Sequence, residues 1–287
     1  MRRMFWRKRE GSVLCPSCGQ LVGVNDERCL NCGRLRPGLW GLSGLLKATG
    51  DDMGFLMLVL WGCGALYLAT LVVQPERIGD GSLLDFLSPS GRALFRFGAA
   101  GALPVFGYGR WWTVWSASWL HGGALHILFN MMAVRALIPI TAHLYGPARN
   151  VIIYVLSGVA GFLASSFAGA FFTFMPGPLR GGVGLTIGAS APIFGLIGAI
   201  FYYGRRSGSR AATEHATRWA LPTLIIGFVF PVIDNWAHLG GMAGGYLVAR
   251  WLDPLLPERG DHVAGALACL LLSFAAIAAS VVTDVLG

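Results

Sequence analysis

Gly181-Gly182-Val183-Gly184-Leu185-Thr186-Ile187-Gly188-Ala189-Ser190-Ala191-Pro192 is the stretch on which the fold turns. Four glycines lead to a serine, and a proline follows two residues later. Proline is at ease in the first turn of a helix, where its missing N–H has no partner to lose, so a helix starts near Ser190. It runs to about Tyr203, just before Arg205 and Arg206. About 14 residues at 1.5 Å each reach roughly 21 Å, short of the roughly 30 Å hydrocarbon core of a bilayer. A membrane crossing here therefore needs irregular backbone ahead of the helix. Such backbone is tolerated at membrane depth only inside protein or beside a water-filled cavity. The stretch thus sets a serine at a helix N-terminus, below the surface and next to water.

The rest of the chain supplies the membrane. Of its 287 residues, 55% are hydrophobic and only 13% charged, against roughly 25% charged in soluble domains. A soluble fold of this size cannot hide so much apolar surface, and disorder, collagen and coiled coil fail with it. The expected class is an all-α polytopic membrane protein. Charges bracket seven apolar intervals: Asp52 to Glu76 (span 53–73), Arg110 to Arg135, Arg149 to Arg180 (span 150–173), Arg180 to Arg205, Arg218 to Asp234, Asp234 to Arg250, and Asp261 to Asp284. The second interval opens on Trp111, Trp112 and Trp115, read as an interfacial belt. With Arg135 set aside at a helix end, alternate connections hold sixteen cations against five. That asymmetry places the N-terminus in the cytoplasm and, after seven spans, the C-terminus outside. A multi-pass protein of a bacterial inner membrane is the expected setting.

The net charge is +8, and nine cations fall before Met53: Arg2, Arg3, Arg7, Lys8, Arg9, Arg28, Arg34, Arg36 and Lys47. Ahead of hydrophobic spans such an arm fixes topology or touches anionic lipid, and no nucleic-acid partner is expected. The basic start runs into a Cys-rich segment rather than an apolar core, so it does not read as a secretory signal. Cys15, Cys18, Cys29 and Cys32 form two C-x2-C knuckles separated by ten residues, each followed by a glycine, Gly19 and Gly33. Four soft thiolates at that spacing resemble a zinc ribbon holding one structural Zn2+ with no open coordination position. A reducing cytoplasm makes disulfides the weaker reading. Cys63 and Cys269 lie in apolar runs and read as small buried hydrophobes.

Polar groups inside spans are costly and need a reason. His126 and Asn130 stand four apart and share a helical face. His238 lies four past Asp234, which caps the start of the sixth span. Topology brings His126, Asn130, Ser190 and His238 toward one half of the bundle. A serine and a histidine that meet in a wet pocket make a minimal nucleophile and base. Asn130, His126 and the N–H groups at the helix start would face a developing oxyanion. Singly, such a serine is more often helix packing, and such a histidine is as often a satisfied interhelical bond as a catalyst; the conjunction carries the reading.

At these residues the chain resembles the rhomboid intramembrane serine proteases. Gly188-Ala189-Ser190-Ala191 matches the family's GxSx motif, Ala237-His238-Leu239-Gly240-Gly241 with Gly245 matches AHxGGxxxG, and His126 with Asn130 matches HxxxN. The resemblance spans about residues 53–252. It implies a six-helix core in which Ser190 and His238 act as a dyad on a transmembrane or juxtamembrane peptide bond, through an acyl-enzyme and without a catalytic cofactor. Gly240, Gly241, Gly244 and Gly245 are expected to let the fourth and sixth spans approach closely. Three departures stand out: Ala191 where many members have glycine, Thr113 after Trp112 where a Trp–Arg pair is common, and Phe194, able to stack on His238, where some have tyrosine.

The expected organisation is a cytoplasmic ribbon with its basic arm (1–36), a linker (37–52), the rhomboid core (53–252) and a seventh helix (253–287). Expected partners are transmembrane protein substrates, the bilayer, and a cytoplasmic protein at the ribbon. The rival reading is an inactive rhomboid-like protein that binds and escorts membrane clients, with the ribbon as adaptor; its relatives usually lack the serine or the histidine. A transporter with a broken fourth helix is weaker, since no acidic residue lies mid-span.

Overall fold

A computed structural model describes residues 9–16, 18–41, 51–73, 86–175, 181, 184–230 and 233–286. Arg2, Arg3, Arg7 and Lys8 of the basic arm, Ser17 of the first knuckle, Lys47 with most of the linker, Arg77, Arg180 and Pro231 lie outside the described residues. The described chain opens with an antiparallel pair, β1 (Ser12–Leu14) and β2 (Leu21–Gly23), with Val13 opposite Val22. The α-helices that follow are α1 (Phe55–Val73), α2 (Gly91–Phe97), α3 (Thr113–Ser116), α4 (Ala124–Tyr145), α5 (Pro147–Phe171), α6 (Ser190–Ser207), α7 (Arg210–Val229), α8 (Asn235–Trp251) and α9 (Gly260–Leu286).

Seven of these are long, in the order read from the charges. By length and composition α1, α4, α5 and α9 are each able to cross a bilayer. The other three fall short for local reasons. Helix α8 has only 17 residues, α7 carries Arg210, Glu214 and Arg218 in its first half, and α6, which runs past the expected end near Tyr203 to Ser207, carries Arg205 and Arg206 in its last turn. Helix α6 also meets protein more than lipid. It packs against α4, α5, α7 and α8, and every residue from Ala191 to Ile200 is buried.

The second span differs from the sequence reading. Helix α4 begins at Ala124, not beside Trp111 and Trp112, because extended Leu120 and then Gly123, at φ 170, interrupt the helix. The tryptophans belong instead to a folded segment between α2 and α4, which includes a π-helical turn at Leu103–Gly107 and α3. Arg135 lies inside α4, exposed, rather than at its end. Cys63 and Cys269 are buried as expected.

The glycine seam is divided between two neighbours. A Cβ on Gly241 or Gly245 would run into the carbonyl oxygens of Ala191 and Gly195 on α6. On Gly240 or Gly244 it would lie 2.5 Å from Ala164 or Ala160 of α5. Successive helical residues turn by about 100°, so the two i,i+4 pairs serve adjacent faces. All four glycines were expected to face α6. In fact α8 is wedged between α5 and α6, and two of them admit α5.

The two ends of the bundle are fastened by different groups. At the end holding Ser190, Arg110 donates to the carbonyls of Phe95 (3.0 Å) and Ser280 (2.8 Å), and Trp112 Nε1 donates to Ser280 Oγ (3.0 Å). Arg96 pairs with Asp284 at 3.6 Å. These contacts bolt α9 to α2 and to the segment between α2 and α4. At the opposite end Glu258 accepts from the N–H groups of Ala148 (2.7 Å) and Arg149 (2.9 Å), capping α5. Arg149 donates to the carbonyls of Tyr145, Leu252, Asp253 and Leu256. Burial pushes the Glu258 carboxyl above the usual carboxylate range, opposed by those two N–H donors and by the charges of Arg149 and Arg34. Arg34, itself buried, belongs to the ribbon, so the ribbon sits at this end.

Gly245→Ala tests the seam. The added methyl cannot clear the Gly195 carbonyl without moving a helix, so the melting temperature in detergent should fall, corresponding to about 1–3 kcal/mol of overpacking. Gly64→Ala, inside α1 where a Cβ meets nothing within 4 Å, should not lower the melt, since alanine favours a helix interior over glycine.

Candidate active site

Residues 184–189 approach α6 without helix, and backbone bonds tie Thr186 and Gly188 to the rest of the protein. Thr186 N–H donates to Ala100 O (2.8 Å) and Ala100 N–H to Thr186 O (3.1 Å). Gly188 N–H donates to Ala117 O (3.0 Å). The irregular approach read from the glycines is therefore covered by the segment between α2 and α4. Helix α6 then starts at Ser190, with no side-chain cap.

His126 and Asn130, one turn apart on α4, lie against this approach. Gly188 has φ +123, and a Cβ there would stand 2.7 Å from His126 Nε2 and 3.5 Å from Asn130 Nδ2. Only glycine tolerates both the backbone angle and the contact. Gly122 N–H donates to His126 Nδ1 at 3.2 Å, so the imidazole proton sits on Nε2, the nitrogen beside Gly188. Asn130 Nδ2 is buried with no hydrogen-bond partner among the described residues. Two donors thus converge on the backbone just ahead of Ser190.

His238 enters from α8. Its ring stacks on Phe194, one turn into α6, with centroids 4.2 Å apart and planes at 19°. Asp234 caps α8, accepting from Ala237 N–H at 3.0 Å. Both contacts match the sequence reading. Among the described residues His238 Nδ1 has no partner, and no hydrogen bond joins Ser190 to His238. The structure therefore brings Ser190, His126, Asn130 and His238 to one end of the bundle.

Three nearby residues escaped the sequence reading. His121, fully buried, sets its ring edge-on to His126 at 5.2 Å and 61°. Thr186 and Ser165 both donate a hydroxyl to Asp234 Oδ2, Thr186 at 2.7 Å. The five-residue spacing of His121 from His126 was visible in the sequence; the Asp234 contacts join three distant elements and were not.

A family model for the Rhomboid domain matches residues 108–253. The chain belongs to the rhomboid family. It is 32% identical over 167 residues to Rhomboid protease GluP of Bacillus subtilis, covering 57% of this chain and 30% of that protein. It is 29% identical over 202 residues to RHOMBOID-like protein 1 of Arabidopsis thaliana, covering 65% of this chain and 44% of the relative. Rhomboid-like protease 5 of Toxoplasma gondii is 28% identical over 168 residues, 56% of this chain and 18% of that protein. The chain thus spans less than half the length of these relatives. The match covers all four site residues, α4 to α8, but neither the ribbon nor α9.

The ribbon holds a second site. The sulfurs of Cys15, Cys18, Cys29 and Cys32 all lie within 4.8 Å of one another, with Cys15–Cys32 at 3.7 Å and Cys18–Cys29 at 3.6 Å. A tetrahedral zinc with bonds of about 2.3 Å sets its sulfurs about 3.8 Å apart, so the four thiols fit a metal ion. The knuckles are alike in backbone: Cys15 N–H bonds Gln20 O and Gly19 N–H bonds Cys15 O, while Cys29 N–H bonds Arg34 O and Gly33 N–H bonds Cys29 O. Gly19 and Gly33 take φ +75 and +70. Burial raises the Cys18 thiol, but hydrogen bonds from the Gln20 backbone, Asn31, Cys32 and Cys29 outweigh it and bring it down to about 7. Cys32 is pushed up to about 12 by burial and by its neighbouring thiols.

Metal analysis of the purified protein should find about one ion per chain, and Cys18→Ser with Cys32→Ser should remove it. Protons compete for the thiolates, so retention should fall as pH is lowered. Four intact cysteines with no bound metal at neutral pH would refute the site.

Proposed function

We propose that the protein is an intramembrane serine endopeptidase that cuts transmembrane or juxtamembrane peptide bonds with a Ser190–His238 dyad. The observation that carries this reading is the stacking of His238 on Phe194, one turn past Ser190, together with the approach of His126 and Asn130 to Gly188, two residues before it, within a domain matching the rhomboid family. Neutral His238 takes the Ser190 proton as Oγ attacks the scissile carbonyl. The carbonyl oxygen gains charge, and His126 Nε2–H, Asn130 Nδ2 and the N–H groups at the start of α6 face it, aided by the helix dipole. The C–N bond then breaks, His238 hands its proton to the leaving amine, and an acyl-enzyme remains for water to hydrolyse. Phe194 holds the His238 plane without a hydroxyl of its own.

The same reading divides the chain into ribbon (1–36), linker (37–52), catalytic core (53–252) and seventh helix (253–287). It places the N-terminus in the cytoplasm of a bacterium and the C-terminus outside. The ribbon metal is zinc and structural: it lies at the Glu258 end of the bundle, away from Ser190, and supplies no step. The cysteine ligands keep the ribbon folded and present it to a cytoplasmic partner. Substrates are membrane proteins whose helix unwinds readily near the site. The presence of both Ser190 and His238 counts against the escort alternative.

Fluorophosphonate labelling of the detergent-solubilised protein tests the nucleophile. Wild type should label; Ser190→Ala and His238→Ala should not label and should not cleave a model transmembrane substrate, and the double variant should be no worse than either single. Additive losses, or no label on folded wild type, would overturn the dyad.

His126→Ala and Asn130→Ala should lower kcat more than KM, by on the order of a hundredfold. Unchanged turnover in both would remove this face of α4 from the mechanism.

A further inference from the structure

Capping accounts for only one oxygen of Asp234. Oδ1 takes the Ala237 N–H, a task for which serine, threonine or asparagine serves as well. Oδ2 accepts two hydroxyls from other elements, Thr186 at 2.7 Å and Ser165 of α5. Thr186 and Ser165 are both buried, where an unpaired hydroxyl is costly. Thr186 lies four residues before Ser190, in the covered approach that exchanges backbone bonds with Ala100. His238 lies four residues after Asp234, and its N–H bonds Asp234 O at 3.2 Å. One carboxylate therefore joins the approach to the nucleophile, the start of the base helix and the C-terminal third of α5, which packs on both α6 and α8.

We propose that Asp234 is a positioning residue that sets the register between Ser190 and His238 through the Thr186 and Ser165 hydroxyls. It transfers no proton. Its cap orients the first turn of α8, and its second oxygen fixes how far the α6 approach stands from that turn. The inference rests on the Ser190–His238 reading and adds a residue to it.

The test is steady-state cleavage of a model transmembrane substrate by the full-length protein, with thermal melts alongside. Thr186→Val exchanges one hydroxyl for a methyl. Asp234→Asn keeps an oxygen for the Ala237 N–H and makes the second position a donor. Both should lower kcat by on the order of tenfold to a hundredfold, the scale expected for a misplaced reacting group, with KM unchanged. Thr186→Ser should restore kcat, and Thr186→Val combined with Asp234→Asn should be no worse than the stronger single. Should Asp234→Asn fail to fold, Thr186→Val and Ser165→Ala carry the comparison. Wild-type kcat in these variants, or a loss accounted for by the unfolded fraction, overturns the positioning role while Ser190→Ala is inactive. Cleavage by Ser190→Ala would overturn the dyad itself, and the positioning role with it.

Discussion

The approach to α6 is non-helical backbone in a protein whose composition commits it to a membrane, and hydrocarbon offers such backbone no hydrogen bonds. Thr186 and Gly188 meet that constraint through Ala100 and Ala117. The segment between α2 and α4 must therefore fold over the site rather than cross the membrane beside it. That requirement explains why the second span starts at Ala124, and why α9 reaches back to hold the segment through Arg110 and Trp112. A serine at a helix start is a consequence of the same broken span.

Close approach is the second condition. Bringing α6 and α8 together needs backbone contact, which glycine permits and any Cβ obstructs. Gly241 and Gly245 serve this purpose toward α6, and Gly240 and Gly244 toward α5. With α8 so wedged, the His238 ring comes to rest on Phe194. Gly188 works on the same principle at the site itself, admitting His126 Nε2 where a methyl would stand.

The opposite end carries a separate structure. Glu258 caps α5, Arg149 gathers the carbonyls of the α8–α9 connection, and Arg34 brings the ribbon's charge to the same place. The buried Glu258 carboxyl thus feels the charges of Arg149 and of the ribbon's Arg34, while the cysteine cluster organises the ribbon's interior.

The sequence alone determined the membrane class, the seven helices and their order, the start of α6 at Ser190, the cap at Asp234 and the two cysteine knuckles. Each is written in local chemistry: apolar runs between charges, proline after serine, aspartate before a helix, paired thiols with a trailing glycine. The family motifs singled out Ser190, His238, His126 and Asn130. Tertiary structure decided where the tryptophans lie, because Gly123 breaks a run that hydropathy joins. It decided that two of the four α8 glycines face α5, since which neighbour a helical face meets is settled by packing. It also brought Thr186 and Ser165 to Asp234. Those three residues share no period and no neighbourhood in the chain, and only the crossing of α5, α8 and the α6 approach puts two hydroxyls on one carboxylate oxygen.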